Sequence, residues 1–367
     1  MKFSAEDQAM MSRALELAAR GRDTSTPNPS VGCVIAKGGR IIGEGWHAKA
    51  GEPHAEAAAL AACSESPAGA TAYVTLEPCS HTRPHRGPCA DALVGARVAR
   101  VVAALEDPNR EVQGRGFQRL REAGIATEVG LLAGEAEEAH LGFLHRMRTG
   151  RPWMRLKCAA SIDGRIALAN GESQWITSEA ARRDVHLLRR RSCAMLTGIG
   201  TVLRDDPELT VRHVECSRQP RRVVIDSRLD LPLAAKILRG EPPIVFTVSG
   251  DVGKRKQLEA LGAEVVQAPI DPAKPGKTDL VAIARQLGDR GFNEVTVETG
   301  ARLNGSLLES GVVDEIVLYL APMIIGDTGQ GLFAIPELTR LDQALRPKLV
   351  DSRAVGEDWR FTMRFAR

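Results

Sequence analysis

The sequence is short of aromatic residues, of net charge and of long apolar runs, and each shortage removes a class of function. Phe, Trp and Tyr make up 4% of the 367 residues, too few for an extended platform on which single-stranded bases stack. The net charge is +3, which creates no strong field and demands no nucleic-acid partner. No apolar stretch nears the ~20 residues of a membrane span. Residues 1–21 read as an amphipathic helix, without the apolar core and cleavage site of a secretory signal. The seven cysteines are odd in number and widely spaced, so they are thiols or metal ligands, not a disulfide frame. A cytoplasmic protein with no membrane and no nucleic-acid partner is expected.

What is present is the composition of a globular protein, 43% hydrophobic and 26% charged, long enough for two domains. Ser4 with Asp7 three residues on, and Met10, Met11, Ala14 and Leu15 at helical spacing, predict a first helix ending at Gly21. Apolar runs over 31–36 and 40–45 flank Lys37-Gly38-Gly39 and read as a hairpin. Helices are expected over 53–62, 89–95 and 117–123, with strands over 71–76, 98–105 and 125–129. This alternation predicts an α/β sandwich. A basic stretch over 145–152 reads as the inter-domain boundary. Beyond it, strands are expected over 153–160, 194–198, 222–226, 244–248, 264–267, 294–298 and 315–321, with helices over 179–191, 253–261, 280–289 and 304–310. The second half is therefore α/β as well.

The chemistry is concentrated in three short segments. His54-Ala55-Glu56 opens a helix, Pro78-Cys79 follows a strand, and Cys89 enters a helix after Pro88. One imidazole and two thiolates occupy three tetrahedral positions on zinc and leave one for water, the catalytic arrangement. Glu56 is placed to carry protons from that water to a ring nitrogen and on to a departing amine. A structural zinc site is the alternative, and its fourth ligand would be His81 or His85. The set agrees with the signature of zinc nucleobase deaminases except for a wider gap between the cysteines. A deaminase of tRNA or single-stranded bases is one rival reading, and a zinc-stabilised nucleotide sensor is another.

Thr26-Pro27-Asn28-Pro29-Ser30-Val31-Gly32-Cys33-Val34, Gly51-Glu52-Pro53-His54-Ala55-Glu56 and Ala72-Tyr73-Val74-Thr75-Leu76-Glu77-Pro78-Cys79 resemble the deaminase domain of the bifunctional riboflavin-biosynthesis deaminase/reductases. Leu156-Lys157-Cys158-Ala159-Ala160-Ser161, Gly171-Glu172-Ser173-Gln174-Trp175 and Asp205-Asp206-Pro207-Glu208-Leu209-Thr210-Val211-Arg212 are similar to the reductase domain. The loop from Ser80 to Pro88 departs from the family pattern, which leaves Arg83 and Arg86 as alternative substrate contacts. The resemblance implies a cytidine-deaminase-like α/β/α sandwich over 1–147 and a dihydrofolate-reductase-like α/β domain over 148–367. It implies hydrolytic removal of the 2-amino group from a diamino-ribosylamino-pyrimidinone phosphate, then reduction of the ribosyl to a ribityl chain. His54, Cys79 and Cys89 would hold Zn2+, Glu56 would move protons, and Asn28, His47, Asp107 and Asn109 would lie at the substrate.

For the second half, the residues alone supply two junctions, Thr197-Gly198-Ile199-Gly200-Thr201 and Val297-Glu298-Thr299-Gly300-Ala301, where a strand runs into a helix and can offer backbone N–H groups to a phosphate. Taken alone, tight turns without any ligand are the favoured explanation of them. The resemblance implies NADPH as cofactor, with Ala159, Trp175, Thr201, Asp205, Ser227 and the run Gly300, Ala301, Arg302, Leu303, Asn304, Gly305 and Ser306 in contact with it. Ser173, Arg189, Leu209, Arg212 and Glu298 would meet substrate, with Lys157 and Asp205 as candidates for assisting proton transfer. Nothing in the residues themselves chooses NADPH over NADH. A homo-oligomer acting on small molecules is expected.

Overall fold

Ser4 and Asp7 exchange side-chain and backbone hydrogen bonds of 3.0 and 2.9 Å, and this closed capping box starts α1 (Ala5–Gly21). The computed structural model describes residues 3–80 and 87–366, divided into two compact units, Met1–Gly150 and Arg151–Arg367. Among the described residues no helix is long and apolar enough to cross a membrane.

In the first unit β1 (Gly32–Lys37) and β2 (Arg40–Trp46) form the expected antiparallel hairpin. Gly38 and Gly39 take φ of +55° and +76°, the left-handed pair that a two-residue turn needs. Then come α2 (Ala55–Ala61), β3 (Thr71–Val74), α3 (Cys89–Gly95), β4 (Arg100–Ala103), α4 (Arg115–Glu122), β5 (Ala126–Val129), α5 (Ala133–Ala139) and α6 (Leu141–Thr149). The sheet runs β2-β1-β3-β4-β5, with β3, β4 and β5 parallel. Alternate side chains of β1 sort the layers. Val34 and Ala36 pack with Met11, Ala14 and Leu17 of α1, whereas Cys33 and Ile35 pack with Ala59, Leu93 and Leu120 on the other face. The result is the expected α/β/α sandwich.

Two helices here were not expected. α5 buries only Ala136, so it carries no apolar stripe to reveal it. The basic stretch read as a boundary is helical through Thr149, and Gly150, at φ +76°, closes α6.

The second unit contains β6 (Trp153–Ser161), β7 (Arg165–Ala167), α7 (Glu179–Arg191), β8 (Ala194–Gly198), α8 (Ile199–Asp205), β9 (Arg221–Ile225), β10 (Ile244–Thr247) and α9 (Val252–Ala260). It continues with β11 (Glu264–Gln267), α10 (Leu280–Asp289), β12 (Glu294–Val297), α11 (Ala301–Glu309), β13 (Glu315–Ala321), β14 (Gln330–Gly331), β15 (Lys348–Val355) and β16 (Asp358–Arg364). The main sheet runs β11-β10-β9-β8-β12-β6-β13-β16-β15. It is parallel from β11 to β13 and antiparallel at its last two strands. The parallel strands from β10 to β13 in that order are largely buried on both faces, whereas the edge strand β11 exposes Glu264 and Gln267. β15 was missed because most of its residues are exposed, which erases the half-buried alternation that marks a strand.

Candidate active sites

α2 starts at its N-cap His54, so Glu56 falls in the first turn, and α3 starts at Cys89. Cys79 lies on the segment leaving β3. His54 Nδ1 is 3.3 Å from Cys89 Sγ and 3.6 Å from Cys79 Sγ. The Cys89 backbone N–H donates to Cys79 Sγ at 3.4 Å. All three donor atoms lie within 4.8 Å of one another. A tetrahedral zinc, with Zn–S near 2.3 Å and Zn–N near 2.0 Å, separates its nitrogen and sulfur ligands by about 3.5 Å. The donor set fits that ion in both spacing and chemistry and leaves a fourth position. His81 and His85, the alternative fourth ligands, lie outside the described residues, as do Arg83 and Arg86.

Close backbone contacts seat this set. A Cβ on Gly45 of β2 would come within 2.3 Å of the Ala59 nitrogen, so only glycine lets α2 lie this near the hairpin. Glu56 is 3% exposed, and burial, together with the Cys79 sulfur beside it, pushes its carboxyl up to about 7. A group near 7 both accepts and returns a proton in neutral water. The hydrogen bond from Cys89, with His54 adjacent, draws Cys79 down to about 4. The same bond, and then burial, pushes Cys89 up. A dication displaces the proton that such a pair shares.

Glu77 has a structural role that the sequence does not disclose. Its carboxylate accepts the backbone N–H groups of Asp107 (3.2 Å), Gly114 (3.0 Å), Gly116 (2.9 Å) and Phe117 (3.4 Å). The last two belong to the first turn of α4, whose N-cap Gly114 has no side chain of its own. Gly116 also touches the Pro78 carbonyl, where a Cβ would lie only 2.0 Å away. Glu77 and Gly116 thus lock the Cys79 segment to α4. The readable signal was a carboxylate at the end of the apolar run Tyr73-Val74-Thr75-Leu76, since a buried carboxylate must collect donors.

His47 is buried with its ring 5.3 Å from that of His54. Its Nδ1 donates to the Pro53 carbonyl at 3.0 Å, and its Nε2 faces Asn28 Nδ2 at 3.1 Å. A carbonyl only accepts, so the proton sits on Nδ1 and Nε2 accepts from the Asn28 amide. Asp107 is buried, and burial followed by the charges of Glu77 and Cys79 raises its carboxyl to about 6. It receives the Asn109 N–H at 2.8 Å.

The second unit carries a cleft of about 1700 Å³. Lys157, Ala159, Ser173, Trp175, Arg189, Thr201, Asp205, Leu209, Arg212, Ser227 and Glu298 all line it, as do Gly300–Asn304 and Ser306. The two strand-to-helix junctions noted in the sequence stand side by side, because β8 and β12 are neighbours and Thr201 Oγ1 lies 3.4 Å from Thr299 Oγ1. Arg189 and Glu298 form a two-bond fork at 2.7 and 2.8 Å. Burial alone would raise Glu298, but Arg189 overrides it and holds the carboxyl down at about 2. Two residues of the expected cofactor run also pack against the segment over 332–334. The Asn304 amide donates to the Leu332 carbonyl at 3.2 Å. Gly305 abuts the Ala334 carbonyl, where a Cβ would lie at 2.0 Å.

Residues 4–105 match the cytidine and deoxycytidylate deaminase zinc-binding region, and residues 152–361 match the RibD C-terminal domain. The chain is 48% identical to the riboflavin biosynthesis protein RibD of Escherichia coli over 365 residues, covering 96% of this chain and 98% of the relative. It superposes on Acinetobacter baumannii RibD with a TM-score of 0.90 at 43% identity, covering 99% of each chain. For a diaminohydroxyphosphoribosylaminopyrimidine deaminase/5-amino-6-(5-phosphoribosylamino)uracil reductase of Thermotoga maritima the TM-score is 0.85 at 32% identity, covering 98% of each. With a zinc-type donor triad in one unit and a junction-lined cleft in the other, the chain belongs to the RibD family of riboflavin-biosynthesis enzymes, a zinc-dependent deaminase joined to an NADPH-dependent reductase.

Proposed function

We propose that the first unit removes the 2-amino group of 2,5-diamino-6-(5-phosphoribosylamino)pyrimidin-4-one, with His54, Cys79 and Cys89 as zinc ligands and Glu56 as the proton carrier. The observation that carries this is the convergence of three ligand atoms within 4.8 Å beside a buried carboxylate. Zinc, when held there, is the Lewis acid that makes water a nucleophile near neutral pH. Glu56 takes one proton from the attacking water and delivers it to the ring nitrogen, then carries the remaining proton of the added hydroxyl to the departing amine, so that the carbonyl forms as ammonia leaves. Asn28, His47, Asp107 and Asn109 lie near the pyrimidine and its ribose phosphate, with His47 orienting the Asn28 amide through Nε2.

The second unit then reduces the ribosyl to the ribityl chain, giving 5-amino-6-(5-phosphoribitylamino)uracil. NADPH supplies the hydride. Backbone N–H groups at the start of α11, with Thr201 and Ser227, bind its phosphates and ribose. Lys157 lines the cleft close enough to Glu298 to feel its charge, and it protonates the oxygen freed at the reduced sugar. Arg212 and the Arg189–Glu298 fork orient the substrate.

The deaminase is assigned to 1–147 and the reductase to 148–367. A cytoplasmic homo-oligomer is the expected state, since edge strand β15 exposes Leu349 and Val350 and leaves backbone groups for a second copy. Zinc-loaded protein given the diaminopyrimidine phosphate should release ammonia at once and oxidise NADPH only when that is added. Ammonia without later oxidation sinks the reductase half, and no ammonia sinks the deaminase half. Light scattering that finds a monomer at micromolar concentration overturns the oligomer.

A further inference from the structure

The reductase cleft contains a histidine with no part in the steps proposed for it. His186 stands on α7 one turn before Arg189, lines the cleft and is 4% exposed. Its Nδ1 accepts the backbone N–H of Arg212 at 3.1 Å, which places the proton of the neutral ring on Nε2. No described residue hydrogen-bonds to Nε2. The His213 ring meets it edge to face, with centroids 4.5 Å apart.

The segment gripped by Nδ1 is held in a costly conformation. Asp206 and Leu209 take φ of +40° and +52°, a left-handed region that non-glycine residues enter only when their surroundings compel it. Gln219 clasps Val211 through both backbone groups, at 2.7 and 3.1 Å. Arg189 donates to the Thr210 carbonyl at 3.0 Å. Both neighbouring guanidinium groups are already paired, Arg189 with Glu298 and Arg212 with Glu208 at 2.6 Å. A phosphate arriving here must share those cations with carboxylates, whereas a neutral N–H donor is available without breaking an ion pair.

We propose that His186 is a substrate-binding residue of the reductase cleft, its Nδ1 fixing the Arg212 backbone and its Nε2–H donating to the substrate's phosphate monoester beside Arg189 and Arg212. This rests on the reading of the cleft as the reductase site. Burial, then the charges of Arg189, His213 and Arg212 set against Glu298, hold the ring down at about 4. It is therefore neutral, with Nε2 protonated, at pH 7.

The test compares wild-type full-length protein with His186→Ala and His186→Asn. Steady-state reduction is measured on the deaminated substrate with and without its phosphate, and NADPH affinity is measured by fluorescence titration. Alanine should raise KM for the phosphorylated substrate about tenfold and change kcat by less than about threefold, with NADPH affinity and the KM of the dephosphorylated substrate unchanged. Asparagine, which keeps both an acceptor and a donor, should recover part of the loss. Inorganic phosphate should inhibit the alanine variant more weakly. Equal KM increases for both substrates, or no increase for either, overturn the proposal. If the alanine variant no longer binds NADPH, the asparagine variant is judged by the same two-substrate comparison. Wild-type protein that neither binds nor oxidises NADPH overturns the reductase reading itself.

Discussion

Three donors separated by 35 residues of sequence meet within 4.8 Å in the first unit, whereas the second unit assembles its cleft from side chains between Lys157 and Ala334. The first site is compact, and its scaffold is largely separate from its chemistry. Glycine contacts and the Glu77 carboxylate hold it from behind, and among the described residues no arginine or lysine pairs with Glu56. In the second unit the side chains proposed to function are also structural members. Arg189 grips Glu298 and the Thr210 carbonyl, and His186 grips the Arg212 backbone. Damage to the first site should therefore fall on chemistry, and damage to the second on chemistry and stability together.

The largest expected effect is on the compact site. Glu56→Gln should cut ammonia release about 10³-fold while zinc content and NADPH oxidation on pre-deaminated substrate stay at wild-type values. A parallel loss of reduction breaks the independence of the two sites. Next comes Arg189→Ala, which strands the buried Glu298 carboxylate and should destabilise the second unit by about 3 kcal/mol, read from denaturation followed through NADPH binding. If only KM changes, the cleft is less integrated with its fold than argued here.

Acid should weaken both units over one window. His140, at a Thr75 hydroxyl (3.0 Å), and His186 are each held down at about 4, chiefly by burial, against an ordinary 6.5. The unfolded chain binds these protons at higher pH than the folded one, so their stability is fully present above 6.5 and is lost as pH falls toward 4. For the wholly buried His140 the loss approaches about 3 kcal/mol. Calorimetry between pH 7 and 5 should show it, and His140→Asn should flatten the dependence of the first unit alone. The smallest effect expected is in the support of the donor triad. Glu77→Gln should weaken zinc binding about tenfold in competition with a chelator. An unchanged affinity means that Gly116 and the α4 backbone hold Cys79 without the carboxylate.

Legibility followed burial. α1, the hairpin and the parallel strands bury a regular face, so periodicity and the Ser4 and Gly38 signals disclosed them. α5 and β15 bury almost nothing and left no pattern. The donor triad was visible because His54 and Cys89 at helix starts and Cys79 just past a strand together make a metal-ligand set, with Glu56 two residues from a ligand, although each alone is ordinary. Glu77 was overlooked because its function is to collect backbone donors from residues 30 to 40 positions away, and His186 because one histidine on a charged helix signals nothing until its partner is known.

The chain's own residues were sufficient to determine two α/β units, a zinc-type donor set with a carboxylate beside it, and two strand-to-helix junctions, because each depends on local spacing or on the identity of a side chain. Tertiary structure alone decided that the two junctions lie on adjacent strands, that Arg189 is committed to Glu298, and that Glu77 and His186 hold loops distant in sequence. Those contacts arise from strand order and chain crossing, which place residues together with no trace in the spacing along the chain.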